Sequence, residues 1–170
     1  MINWQQHLDK YPERYKWDQL WSSKNARDKV GQPHQNIYIG SYCSTIPDNI
    51  TAILNVAEEL ENRIDIDIKI KYKIGLIDPG MYKDDFKQFN KAIQLLCHLV
   101  DFSYEIVFVH CNSGMNRAVS VAATASAILD HVTVIDKIKQ IAKNRPEIWP
   151  EPYYIIMGQI INGELTNGDD

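Results

Sequence analysis

The chain predicts an α/β fold, a single domain on a central mixed sheet of about four to five strands flanked by helices. Three observations carry that expectation. Ile106-Val107-Phe108-Val109 is a continuous apolar run rich in β-branched and aromatic residues, as expected of a strand buried on both faces. A glycine-containing loop, His110 to Arg117, follows it and leads into a small-residue helical segment from Ala118 to Leu129. Strand-length apolar stretches come early and helical ones mostly late, with short connections, which is the pattern of a layered domain.

The elements follow in order. Residues 2 to about 30 are polar with spaced aromatics at near-helical intervals, interrupted at Pro12, which suits the start of a second helix better than the interior of one. This aromatic-rich helical extension (1–30) is expected either to clamp onto the domain or to offer a self-association surface, a homodimer through the N-terminal segment. Gly31-Gln32-Pro33 breaks the region, and Asn36 to Gly40 reads as a short strand. Ser44 to Asn49 is a turn cluster, and Ile50 to Val56 reads as a second, central strand. From Arg63 to Ile74 isoleucines alternate with charges, the period-2 pattern of a half-exposed strand, ending where Pro79 and Gly80 force a loop. Asp84 and Asp85 suit the N-cap and first turn of a helix from about Phe86 to Val100. After the buried strand, loop and helix, Thr133 is expected to cap a further helix that Arg145-Pro146 ends. Glu151-Pro152 opens the last helix, through about Ile161, and residues 164–170 read as a polar tail on a core domain of residues 31–163.

Bulk composition narrows the partners. The chain of 170 residues is 45% hydrophobic and 24% charged with a net charge of −4, so nothing draws it globally toward nucleic acid or an anionic membrane. It has no run of 18 apolar residues and no basic-then-apolar start, so neither a membrane span nor a signal peptide is expected. Three cysteines (Cys43, Cys97, Cys111) form no disulfide framework, which fits a reducing, cytoplasmic setting. The five histidines have no metal-ligand spacing, and no nucleotide P-loop motif occurs; neither metal nor organic cofactor is expected.

The chemistry concentrates at Cys111 to Arg117. Strand, glycine loop and helix together point backbone N–H groups and a helix N-terminus at one spot, which suits an oxyanion such as phosphate. Cys111 is the candidate nucleophile, since loop amides, helix dipole and Arg117 all favour its thiolate. Arg117, six positions on, has a planar fork matched to two phosphoryl oxygens. Gly114 permits a backbone turn that a side chain obstructs, while Asn112, Ser113, Met115 and Asn116 contribute mainly N–H donors. His110 is expected to tune the thiolate from behind through hydrogen bonds. Cys97 is expected to pack in its helix, and Cys43 is a conceivable disulfide partner for Cys111.

This block resembles the H-C-x-x-G-x-x-R signature of the protein tyrosine phosphatase superfamily, in particular its dual-specificity branch. Asn36-Ile37-Tyr38-Ile39-Gly40-Ser41 is similar to that branch's first-strand element, Ile53-Leu54-Asn55-Val56-Ala57 to its next strand, and Arg145-Pro146 with Pro150 to the segment before its last helix. The resemblance spans roughly residues 33 to 160. It implies a phosphatase acting on phosphotyrosine and phosphoserine or phosphothreonine in proteins through a phosphocysteine intermediate, with a general acid on an upstream loop. Asp78, at the Pro-Gly loop, is the first choice for that acid, with Asp84 and Asp85 as competitors. The chain departs from the family at Ala118, where a Ser or Thr hydroxyl usually stabilises the departing thiolate, and at Glu151, where Asn is frequent. Gly114-Met115-Asn116-Arg117 is also similar to the loop of RNA 5′-triphosphatases. Phosphatases of RNA 5′-phosphates, or a weakly active phosphate-binding pseudophosphatase, are therefore the alternatives.

Overall fold

Alternation along three short strands sorts the two faces of the sheet. The structure, a computed structural model, describes residues 3–15, 30–77 and 85–166. Ile37 and Ile39, Ala52, Leu54 and Val56, and Val107 and Val109 face one large core; Tyr38, Ile53 and Phe108, one position out of phase, face a second, smaller one. The strands are β1 (Gly31–His34), β2 (Ile37–Gly40), β3 (Ala52–Ala57), β4 (Ile70–Leu76) and β5 (Val107–His110). They form one mixed sheet in the order β1-β2-β5-β3-β4, with β1 antiparallel to β2 and every other pairing parallel. β5 therefore lies at the centre, and its carboxyl end opens between β2 and β3, the crevice where open α/β sheets bind ligands.

Parallel neighbours need crossovers, and they cover the two faces differently. Helices α2 (Asp85–Asp101), α3 (Arg117–Asp130), α4 (Val134–Asn144) and α5 (Pro152–Ile161) enclose the large core. α3 is buried from Arg117 to Ala127, and its alanines, valines and serines let it lie close against the sheet and its helical neighbours. Thr133 caps α4 by accepting from the Asp136 N–H at 3.1 Å, and Pro152 occupies the first turn of α5. The smaller core is closed among the described residues by loops, with Ile46, Ile50, Ile66 and Ile68 packed over Ile53 and Phe108.

Three sequence expectations need correction. Gly31-Gln32-Pro33 is not a break but most of strand β1. Proline is tolerated there because β1 is an edge strand, and the buried Lys137 ammonium donates to the Pro33 carbonyl at 2.8 Å. The isoleucine alternation from Arg63 is strand only from Ile70 onward. Before that the chain curls, because the Lys71 ammonium gathers the carbonyls of Arg63 and Ile66, each at 2.8 Å. Of the expected tail, residues 164–166 are tied down and 167–170 lie outside the described residues: Glu164 accepts the Val134 N–H at 2.7 Å, the neighbouring Asn162 amide donates to Val132 O, and Leu165 packs against the large core.

At the other terminus α1 (Trp4–Lys10) begins with Asn3, whose side chain accepts from the N–H groups of Gln5 and Gln6. Pro12 does start a new helical turn, a 3-10 segment through Tyr15. Leu8 and Tyr11 pack against the large core, and α1 contacts α5. The aromatic residues Trp17 and Trp21 fall outside the described residues.

Candidate active site

The loop from Cys111 to Asn116 joins the end of β5 to the start of α3, and its carbonyls turn outward. Asn112 O accepts from the Tyr42 N–H at 3.0 Å, and Met115 O from the Trp149 N–H at 2.8 Å. Ser113 O and Gly114 O accept from the buried Arg145 guanidinium at 3.3 and 3.2 Å. Asn116 O takes both the N–H and the hydroxyl of Ser120, each at 2.9 Å. Five successive carbonyls engaged on the outside leave the inside of the turn to N–H groups, the arrangement that binds anions. One of them is already directed at the sulfur: Gly114 N–H donates to Cys111 Sγ at 3.3 Å.

Gly114 is required by space and by backbone. Its φ is +68°, and a Cβ there meets Gly40 C and O at 2.5 Å and Arg145 Nη2 at 2.9 Å. Cys111 is buried at the base of the loop. His110, behind it, places Nδ1 3.2 Å from the Cys111 carbonyl. A carbonyl only accepts, so Nδ1 carries the proton. Burial, opposed by that hydrogen bond, pushes the His110 pKa down and keeps the ring neutral. Its Nε2 is buried with no hydrogen-bond partner, so it makes no bond to the sulfur.

Arg117 is buried and pinned rather than waving over the loop. Its Nη1 and Nη2 donate to the two Glu59 oxygens at 2.6 Å each, and Nη1 donates again to Leu76 O at 2.9 Å. That bidentate pair holds the Glu59 carboxyl below the usual carboxylate range, through the hydrogen bonds from Arg117 against a smaller burial effect. These three bonds all leave from Nη1 and Nη2 of the guanidinium.

Several of these supports were not visible in the sequence. Glu59 sits in an acidic run, Glu58-Glu59-Leu60-Glu61, that reads as a solvated loop. Arg145 reads as a helix end and as part of the segment before the last helix, yet it clamps two loop carbonyls and pairs at 3.4 Å with Glu147, whose carboxylate oxygens are buried. Asn116, expected to give an N–H, also uses its side chain: Oδ1 accepts the Glu151 N–H at 2.8 Å and so docks the start of α5 on the loop. At position 151 the backbone makes this contact, whatever the side chain. Ala118 is buried in the first turn of α3.

Asp78 and Asp84 lie outside the described residues, and the described part of Asp85 is its backbone, at the start of α2. The strand end that leads to Asp78 is fixed, however. Leu76 O is held by Arg117, and Ile77 O accepts from the Tyr154 hydroxyl at 2.8 Å. Cys43 and Cys97 are free thiols; Cys97 packs in its helix, and burial pushes its pKa up to about 11. Among the described residues no cluster of three or more His, Cys, Asp or Glu is placed to hold a metal ion, and no helix is long and apolar enough to cross a membrane.

Comparison with solved structures places this architecture. Human DUSP28 superposes with a TM-score of 0.64 at 13% identity, over 79% of this chain and 93% of that one. A human tyrosine phosphatase-like serine/threonine/tyrosine-interacting protein gives 0.66 at 14% identity, over 81% and 98%. The chain has the dual-specificity phosphatase fold. A leucine rich repeat and phosphatase domain containing protein from Entamoeba histolytica shares it, with a TM-score of 0.63 at 16% identity over 84% and 96%. No family model matches the sequence, and no curated protein matches it by sequence.

Proposed function

We propose that the chain is a cysteine-dependent phosphatase that hydrolyses phosphotyrosine, and phosphoserine or phosphothreonine, in proteins. The observation that supports it most is the outward turn of five loop carbonyls around a buried cysteine sulfur. A phosphoryl group seated in that ring accepts N–H donors from the loop between Asn112 and Arg117, and the Arg117 guanidinium takes its equatorial oxygens. The Cys111 thiolate forms a bond to phosphorus as the ester P–O bond breaks, and the Asp78 carboxylic acid gives its proton to the leaving oxygen. The Asp78 carboxylate then takes a proton from water. That water attacks phosphorus, the S–P bond breaks, and inorganic phosphate leaves with the thiolate restored. Such chemistry belongs in a reducing, intracellular setting.

The test is hydrolysis of p-nitrophenyl phosphate by wild type, Cys111→Ser and Asp78→Asn. Near-complete loss in the first and a large loss in the second, at mildly acidic pH, are expected. Full activity of Cys111→Ser sinks the proposal. One observation favours a second reading, a phosphate reader with little turnover: Ala118 offers no hydroxyl to the departing thiolate. A burst of leaving group without steady turnover is its signature. Triphosphorylated RNA assayed beside a phosphopeptide separates the RNA-directed alternative.

We also propose that residues 1–30 act as a clamp on the domain of residues 31–163, a role supported by the packing of Leu8 and Tyr11. A homodimer formed through that segment would show as a dimer-to-monomer shift in sedimentation when residues 1–30 are removed.

A further inference from the structure

The segment from Arg145 to Glu151 is fastened to the catalytic loop at three places. Arg145 grips Ser113 O and Gly114 O, the Trp149 N–H meets Met115 O, and the Glu151 N–H meets Asn116 Oδ1. Its neighbours in the chain are buried: Arg145, Ile148 and Pro150 all face inward. Trp149 does not. The residue is 54% exposed, although its backbone is held against the loop at 2.8 Å. A large, rigid aromatic left in water on so fixed a backbone is not explained by packing. Met115, whose carbonyl it holds, is half-exposed beside it and supplies a soft thioether.

We infer that Trp149 is a specificity-determining residue, an aromatic platform at the rim of the loop against which the phenyl ring of a phosphotyrosyl substrate stacks. This rests on the phosphatase reading above. In an in-line displacement the leaving group points away from the Cys111 sulfur, outward across the rim formed by the loop and its attached segment. A phenol ring extends far enough to meet the indole, whereas the short alkyl arms of phosphoserine and phosphothreonine end before it. The anchor is the Trp149 backbone, so truncating the side chain leaves the loop's hydrogen bonds in place.

The experiment compares kcat/KM for phosphotyrosyl and phosphothreonyl peptides of one sequence on wild type, Trp149→Ala and Trp149→Phe. The tyrosyl-to-threonyl ratio is expected to fall about 5- to 10-fold in Trp149→Ala, the size of one aromatic pair with the area it covers, and to be largely kept in Trp149→Phe. An unchanged ratio, including an equal fall on both peptides, overturns the inference. Should wild type turn over neither peptide, the phosphatase reading fails separately. Quenching of indole fluorescence by the phosphotyrosyl peptide in Cys111→Ser then decides the stacking. Quenching that disappears with Trp149→Phe upholds it, and quenching that persists, or is absent throughout, refutes it.

Discussion

Glu59→Gln is the sharpest probe of how the loop arginine is held. Each Glu59 oxygen lies 2.6 Å from a terminal nitrogen of Arg117, whose side chain is 3% exposed while that of Glu59 is 47% exposed. A hydrogen bond to a buried charge is worth ~1.5–3 kcal/mol, but an exposed ion pair only ~0–1. Solvent screening at the half-exposed carboxylate therefore sets the pair at about 1–2 kcal/mol. Glutamine keeps one acceptor oxygen and presents an NH2 to the other guanidinium nitrogen, so the fork tilts. If that energy is lost from the transition state, kcat/KM on p-nitrophenyl phosphate falls ~5- to 30-fold. Under the proposed reaction the fall is expected mostly in kcat, because the equatorial oxygens of the reacting phosphoryl group need the plane of the guanidinium most. A kcat/KM that is unchanged or higher refutes the reasoning and makes Glu59 a brake that only neutralises charge. The pH dependence gives an independent check. The folded-state pKa of Glu59 is depressed, so the pair's stabilisation is complete above the unfolded value of about 4.3 and lost as pH falls through the folded one. The stability gap between wild type and Glu59→Gln should be constant above about pH 5 and close below about pH 4.

Four further outcomes follow from the same structure. Gly114→Ala places a methyl 2.5 Å from Gly40 backbone at a φ of +68°, and urea unfolding should show a loss of about 2–5 kcal/mol. Arg145→Met strands the buried Glu147 carboxylate and should cost about 3–5 kcal/mol, much of it recovered in the double variant with Glu147→Leu. Under the proposed reaction, Ala118→Ser should raise steady-state turnover by up to ~10-fold relative to the burst, the worth of one hydrogen bond to the departing thiolate; an unchanged ratio of the two phases removes that assignment. With its pKa near 11, Cys97 should react slowly with iodoacetamide at pH 8 while the exposed Cys43 is labelled quickly, as peptide mass mapping will show.

The fold was legible where one local rule governed a segment. The apolar run before Cys111, the small-residue helix after it, the cap at Thr133 and Pro152 in the first turn of α5 each follow from short-range sequence alone. Legibility failed where a segment answered to a distant part of the chain. Ile64, Ile66 and Ile68 alternate like a strand, but Ile66 and Ile68 cover the small core from a loop, while Ile64 is 96% exposed. Pro33 looks like a break because its strand lies at an edge, a property of topology rather than composition. Cys111, Gly114 and Arg117 could be picked out by their spacing. The carboxylate that grips Arg117 comes from the end of β3, 58 residues away, and nothing in Glu58-Glu59-Leu60-Glu61 marks which acid turns inward. Arg145 likewise reveals its grip on the loop only when α4 has been folded back against α3 and β1.

The partners that grip the loop from outside come from the turn after β2, the close of α4, the stretch before α5, and α3 itself. The shape of this loop is thus a collective property, fixed only when widely separated parts of the chain have all come home. Under the proposed reaction, phosphatase activity and helical signal should vanish together along a single urea curve.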